Sequence, residues 1–138
     1  ETFIQYSKNP FRKFNKRELI GLGARFNLEN NFKAGLGIMN ENEEDLSAIS
    51  DNTLRLSSYF HSEFLIVENI VFDLSAFLQP SLNSFSDYKA TLIGQFDFKV
   101  NDNFKISLQY NTFYDSKPPS NAVKKEEGFA TVFSYNFN

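Results

Sequence analysis

The only histidine in the chain sits in the run His61-Ser62-Glu63, which gathers the three residue types of a serine hydrolase. A nucleophilic serine needs a base within hydrogen-bond reach, and that base needs a group to orient it. The hydrophobic pattern around the run has a period of two, so His61 and Glu63 share one face while Ser62 points to the other. The three therefore do not form a triad by themselves, and a serine on an adjacent strand would have to serve as nucleophile. The expectation is an interior histidine paired with a carboxylate.

Two charged clusters invite other chemistry. Glu41, Glu43, Glu44 and Asp45 are dense enough to suggest calcium, but their spacing matches no EF-hand loop and lacks its central glycine. They read as a solvated loop, or as one bridged to lipopolysaccharide by divalent cations. Arg12, Lys13, Lys16 and Arg17 form the densest basic cluster, read as an exposed loop that can meet lipopolysaccharide phosphates. Lys117-Pro118-Pro119 stiffens the base of a later loop, because proline fixes φ. Lys124-Lys125-Glu126-Glu127 reads as a solvated loop face, with contact to lipid headgroups or a partner protein as the alternative. No catalytic, cofactor-binding or metal-ligating residue is assigned, and no cofactor is expected.

Composition narrows the classes further. A chain of 138 residues fits one domain, and the absence of cysteine excludes disulfides and thiolate metal sites. A net charge of -3 with scattered basic residues lacks the footprint of a nucleic-acid binder. No run approaches the ~18 apolar residues of a spanning helix. Glu1 opens the chain without a methionine, which reads as a processed chain or a fragment.

The elements that would carry these residues are strands. Ile20, Leu22, Ala24, Phe26 and Leu28 fall on one face; Leu19, Gly21, Gly23, Arg25 and Asn27 fall on the other. The same period recurs from Phe32, from Leu54, from Phe72, from Tyr88, from Phe104 and from Phe129. With a shorter segment at residues 3–9, this predicts eight strands and an all-β fold. Short connections at Asn30-Asn31, Glu68-Asn69 and Asn101-Asp102-Asn103 take turns with long polar stretches at residues 10–17, 41–52, 81–87 and 116–128. In an up-and-down barrel that puts the tight turns at one end and the long loops at the other, as in outer-membrane barrels.

Strand length, loop asymmetry and glycine placement turn the apolar face outward to lipid. The alternating windows run to roughly ten residues or more, which suits a tilted spanning strand. Gly21, Gly23, Gly35 and Gly37 lie on the polar face, where they are expected to make room for Arg25, Lys33 and Arg55 inside a narrow barrel. That face also holds Glu63, Asp73, Lys89, Asp97, Lys99 and Lys105, whose charges should pair across a small lumen. Phe104, Tyr110, Tyr114, Tyr135 and Phe137 suit interfacial girdles.

Several stretches resemble one bacterial family: NPFRKFNKRELIGLGARFNL at 9–28, GIMNENEEDL at 37–46, LRLSSYF at 54–60, QPSLNSFSDYKA at 79–90 and LQYNTFYDSKPPSNAVKKEEGFATVFSYNF at 108–137. This is the family of salt-stress-induced outer-membrane proteins known as domain of unknown function 481. The resemblance implies an outer-membrane β-barrel with no established catalytic residues, in a family whose members usually carry further strands before the part matched here. The expected fold is an all-β, antiparallel, up-and-down transmembrane β-barrel. Residues 1–138 form one outer-membrane domain of eight strands, or the C-terminal part of a barrel of ten to twelve. The expected role is non-enzymatic, structural or partner-binding, in the outer membrane of a Gram-negative bacterium. The expected partners are outer-membrane lipid, lipopolysaccharide and an envelope protein, and no nucleic acid. The alternatives are a passive outer-membrane channel and a soluble ligand-carrying β-barrel.

Overall fold

The computed structural model describes residues 1–9, 14–28, 31–119 and 122–137. Every regular element in them is a strand: β1 (Thr2–Asn9), β2 (Phe14–Asn27), β3 (Phe32–Asp45), β4 (Ser50–Val67), β5 (Ile70–Pro80), β6 (Tyr88–Lys99), β7 (Phe104–Asp115) and β8 (Lys125–Tyr135). They form one antiparallel sheet whose spatial order equals the order along the chain. Eight alternating windows thus become eight strands, because each is followed by residues that turn the chain back on itself. Glu68-Asn69 closes the β4–β5 hairpin in two residues, and Asn31 supports the β2–β3 turn at φ 66°.

The strands at the long-loop end outrun the sequence reading. β3 continues through Asp45 and β4 starts at Ser50, so the acidic cluster lies on a strand and not in a loop. Only residues 46–49 connect the two, tied by Asp45, whose Oδ1 accepts from the backbone N–H of Ser47 at 2.7 Å and of Ile49 at 2.9 Å. Lys16 and Arg17 of the basic cluster are on β2, while Arg12 and Lys13 lie outside the described residues. Lys125, Glu126 and Glu127 are likewise on β8. Register pairing explains the first two corrections: the ends of β2 and β3 hold each other extended through Arg17 beside Glu43 and Asn15 donating to Glu44, and the backbone ladder with β7 carries β8 back to Lys125.

The two faces separate as the alternation predicts. Ile4 is 82% exposed, Leu22 59% and Phe129 71%, and Ile20, Leu36, Ile38, Leu54, Phe96 and Phe133 share their face. On the opposite face Leu19, Met39, Glu41, Thr53, Arg55, Lys89, Ser107 and Asp115 are buried. That burial requires a curled sheet. Glu41 on β3 contacts Lys89 on β6 at 2.9 Å, although strands three places apart in a flat sheet are about 14 Å apart. The polar face is therefore the concave one.

Aromatic rings line the outer face near the tight turns. Phe32 meets Phe60 and Phe64 at centroid distances of 5.8 Å, Phe64 meets Phe72 at 6.1 Å, Phe72 meets Phe96 at 4.5 Å, and Phe104 meets Phe133 at 6.4 Å. Ser62 lies between Phe60 and Phe64 on this face, opposite Phe32 and Leu74. Its hydroxyl is fully buried and has no hydrogen-bond partner among the described residues. Two inner-face glycines serve a different purpose from the one expected. A Cβ on Gly35 would stand 2.0 Å from the Tyr59 ring, and one on Gly21 would stand 2.4 Å from the Phe3 ring. They make room for flat aromatic rings and not for long cationic side chains.

Candidate functional site

Three layers stack inside the concave face. At the long-loop end, Glu41 sits 2% exposed at the centre of an ion cluster. Arg17 Nε donates to its Oε1 at 2.5 Å, Arg55 Nε donates to its Oε2 at 2.5 Å, and Lys89 Nζ reaches Oε1 at 2.9 Å. Lys89 also donates to Glu43 at 2.7 Å and lies 3.7 Å from Asp115. Arg55 Nη1 donates to Asp87 Oδ1 at 3.0 Å and to the carbonyl of Gln79 at 3.3 Å. Three cations thus face four carboxylates drawn from β2, β3, β4, β6, β7 and the connection before β6. Burial of so many charges is tolerable only because each finds opposite charge nearby.

The cluster has the form of a plug. The space between it and Pro118, Pro119, Ala122 and Val123 of the last connection is about 20 Å³, roughly room for one water. Its carboxylates are not poised for a cation. Glu41 and Glu43 point inward to Arg and Lys, Glu44 accepts from Asn15 at 2.7 Å, and Asp45 caps its own turn. Among the described residues no group of His, Cys, Asp or Glu is arranged to hold a metal ion.

Below the plug lies a cavity of about 250 Å³ lined by Phe3, Leu19, Tyr59 and Phe77, with Gln5, Gln79 and Ser57 among its polar groups. Its walls carry no charge apart from Glu1, which pairs with Arg25. The Tyr59 and Phe77 ring centroids are 5.9 Å apart.

At the tight-turn end the interior is looser. His61 Nδ1 lies 2.9 Å from Ser75 Oγ on β5, so the histidine meets a hydroxyl and not the expected carboxylate. The register explains this: His61 pairs with Ser75, and Glu63 pairs with Asp73 one step nearer the turn. A serine from the adjacent strand does reach the base, and among the described residues no carboxylate is hydrogen-bonded to the imidazole in the orienting position that a hydrolytic site requires. Asp97 accepts from Lys105 and from Gln95, each at 2.8 Å. Of the expected lumen charges, Arg55 and Lys89 join the plug, Asp97 and Lys105 pair with each other, and Lys33 is exposed. Lys99 turns away to Asp102 at 2.9 Å. Arg25 donates to the Tyr59 hydroxyl at 2.8 Å.

The residues that dominate the interior, Glu41 and Arg17, had been read as loop charges. One signal could have found them. The inward phase Gly35, Gly37, Met39 runs on unbroken into Glu41 and Glu43, and a strand keeps its phase until something breaks it.

Comparison with known proteins agrees with the sequence resemblance. No curated protein and no solved structure matches the chain. The model of the family described as a protein of unknown function, DUF481, matches residues 1–137, and the chain belongs to that family.

Proposed function

We propose that the protein is an outer-membrane β-barrel of Gram-negative bacteria with a structural or partner-binding role, its lumen closed by its own side chains. The observation that carries this reading is the division of the sheet into an apolar convex face and a concave face that buries an ion cluster. A soluble carrier would need the opposite arrangement. The aromatic positions add a length. Ten positions separate Tyr88 from Phe98 on β6, and ten separate Phe104 from Tyr114 on β7. Each interval is about 34 Å along a strand, or about 26 Å of height at a barrel's usual tilt, which fits the ~25 Å apolar band of outer-membrane barrels. No helix among the described residues is long and apolar enough to cross a membrane, so any crossing falls to the strands.

The plug favours a closed wall over a passive channel. A permeating ion would have to part Arg17, Arg55 and Lys89 from Glu41, which costs several kcal/mol for each buried charge left unpaired. The exposed tips of the long-loop end, with Ile49 at 67%, Phe85 at 68% and Val123 at 63%, are the natural place for an envelope partner to bind.

The test is to express the chain behind a signal peptide in a Gram-negative host and fractionate its envelope. The expected result is outer-membrane recovery with a folded band that migrates faster before boiling, and no single-channel steps in planar bilayers. A folded product that stays soluble without detergent would overturn the membrane reading, and regular conductance steps would overturn the closed lumen.

A further inference from the structure

The cavity below the ion cluster is walled by β1–β5 and holds about 250 Å³, the share of about eight liquid waters. Protein interiors seldom leave a space much larger than one water unfilled. Its polar groups are ready for an occupant. The side chains of Gln5, Ser57 and Gln79 line the cavity and form no hydrogen bond with any described residue. Its aromatic rings face the same space. Phe3 lies against Gly21 and Tyr59 against Gly35, with no side chain behind either ring, so each turns its other face to the cavity. Phe77 stands beside Tyr59, with 35° between the two ring planes.

These walls select by exclusion. A charged ligand finds no counter-ion, because Glu1 is paired with Arg25 and the charges above are paired among themselves in the plug. A purely apolar ligand would cover Gln5, Ser57 and Gln79 and leave buried polar groups without partners, which is costly. A flat heteroaromatic ring would need a parallel-sided slot, and Tyr59 and Phe77 are inclined to one another. A puckered sugar ring meets all three conditions. Its C–H groups carry slight positive charge and suit the negative faces of aromatic rings. Its hydroxyls both donate and accept, as side-chain amides and the serine hydroxyl do. We propose that the cavity binds a neutral monosaccharide ring, packed on the faces of Phe3 and Tyr59 and hydrogen-bonded through Gln5, Ser57 and Gln79.

The ligand enters from the tight-turn end. At the other end the plug and the last connection leave about 20 Å³, room for a water and nothing larger. Toward the turns the cavity is bordered by Glu1 and its partner Arg25, whose side chains are 37% and 51% exposed, so the way in passes solvent and not a seal. The proposal goes beyond the membrane reading and holds whichever medium meets the convex face, since every group that would touch the sugar is on the concave side of β1–β5.

Saturation-transfer NMR of the purified full chain tests the site, in lipid vesicles or, if the chain proves soluble, in buffer, with no sugar-headed detergent present. The probes are the methyl glycosides of glucose, galactose and N-acetylglucosamine, with toluene as an apolar ring. The expected result is transfer of saturation to the C–H protons of at least one glycoside. Ser57→Phe, which fills the cavity, should abolish it. Gln5→Leu with Gln79→Leu keeps the space and removes both amides, so glycoside binding should weaken by about tenfold or more while toluene binding is kept. The leucine pair reads the site even where Ser57→Phe fails to fold. No transfer to any glycoside overturns the proposal, and transfer that survives the substitutions places the sugar elsewhere and overturns it too. Equal weakening of glycoside and toluene in the leucine pair overturns the assignment to a sugar ring. Cell fractionation reads out the membrane reading separately, so the failure of one is distinguishable from the failure of the other.

Discussion

The two ends of the concave face have the same alternation and the same mixture of charges, yet they are built differently. At the loop end seven ionisable groups converge and Glu41, Arg55, Lys89 and Asp115 are buried. At the turn end Lys33 and Glu63 are exposed, and His61 is hydrogen-bonded to the Ser75 hydroxyl. The difference lies in reach and register. Arg17, Arg55 and Lys89 are long enough to cross the curled sheet, and the registers of β2, β3, β4 and β6 bring them to one height. Near the turns Asp97 pairs with Lys105, but Glu63 is opposed to Asp73, and those two carboxylates repel. Pairing, and not charge content, decides which end is filled and buried.

The largest expected effect breaks the ion-paired end. Glu41→Ala leaves Arg17, Arg55 and Lys89 without their shared acceptor and should cost about 3–5 kcal/mol, seen as a lower urea midpoint of the refolded protein in lipid vesicles. Glu41→Gln, which keeps the shape and loses the charge, should fall between the wild type and Glu41→Ala. Gly35→Ala, beneath the Tyr59 ring, should cost about 1–3 kcal/mol as an overpacking change. Gly94→Ala is the matched control on the convex face, where a Cβ would meet Phe72 at 3.5 Å, and its midpoint should stay near that of the wild type. At the loose end Ser75→Ala should cost about 1 kcal/mol or less, the net worth of one hydrogen bond. A loss as large as that from Glu41→Ala would erase the distinction between the ends.

The smallest effect has the opposite sign. Ser62→Ala removes a buried hydroxyl without a partner, so its midpoint should hold or rise by the equivalent of up to about 1 kcal/mol. A clear fall would mean that Ser62 has a partner beyond the described residues.

Period-two alternation made the eight strands, the tight turns and the outward apolar face legible in the sequence, because side-chain direction follows from local backbone geometry alone. It did not reveal where polar strands stop. Residues 41–45 and 14–17 look like loops on composition, and it is cross-strand contacts, Glu43 with Arg17 and Glu44 with Asn15, that hold them extended. The ion cluster was half legible. Arg55 and Lys89 were placed inside by phase, but their common acceptor was not, since contact between β3 and β6 depends on how tightly the sheet curls. The meeting of His61 with Ser75 depends on register in the same way. The use of Gly35 and Gly21 as floors for aromatic rings depends on packing.

Strand order that equals chain order has a consequence for how the molecule comes together. Every strand from β2 onward lies beside its predecessor, so the sheet can grow by adding one hairpin arm at a time, each addition closing only a short loop. The ion cluster is different: it draws on β2, β3, β4, β6 and β7, so it can form only after those strands lie side by side. Changes at Glu41 should therefore slow the late steps of assembly, while changes at the hairpin turns should slow the early ones.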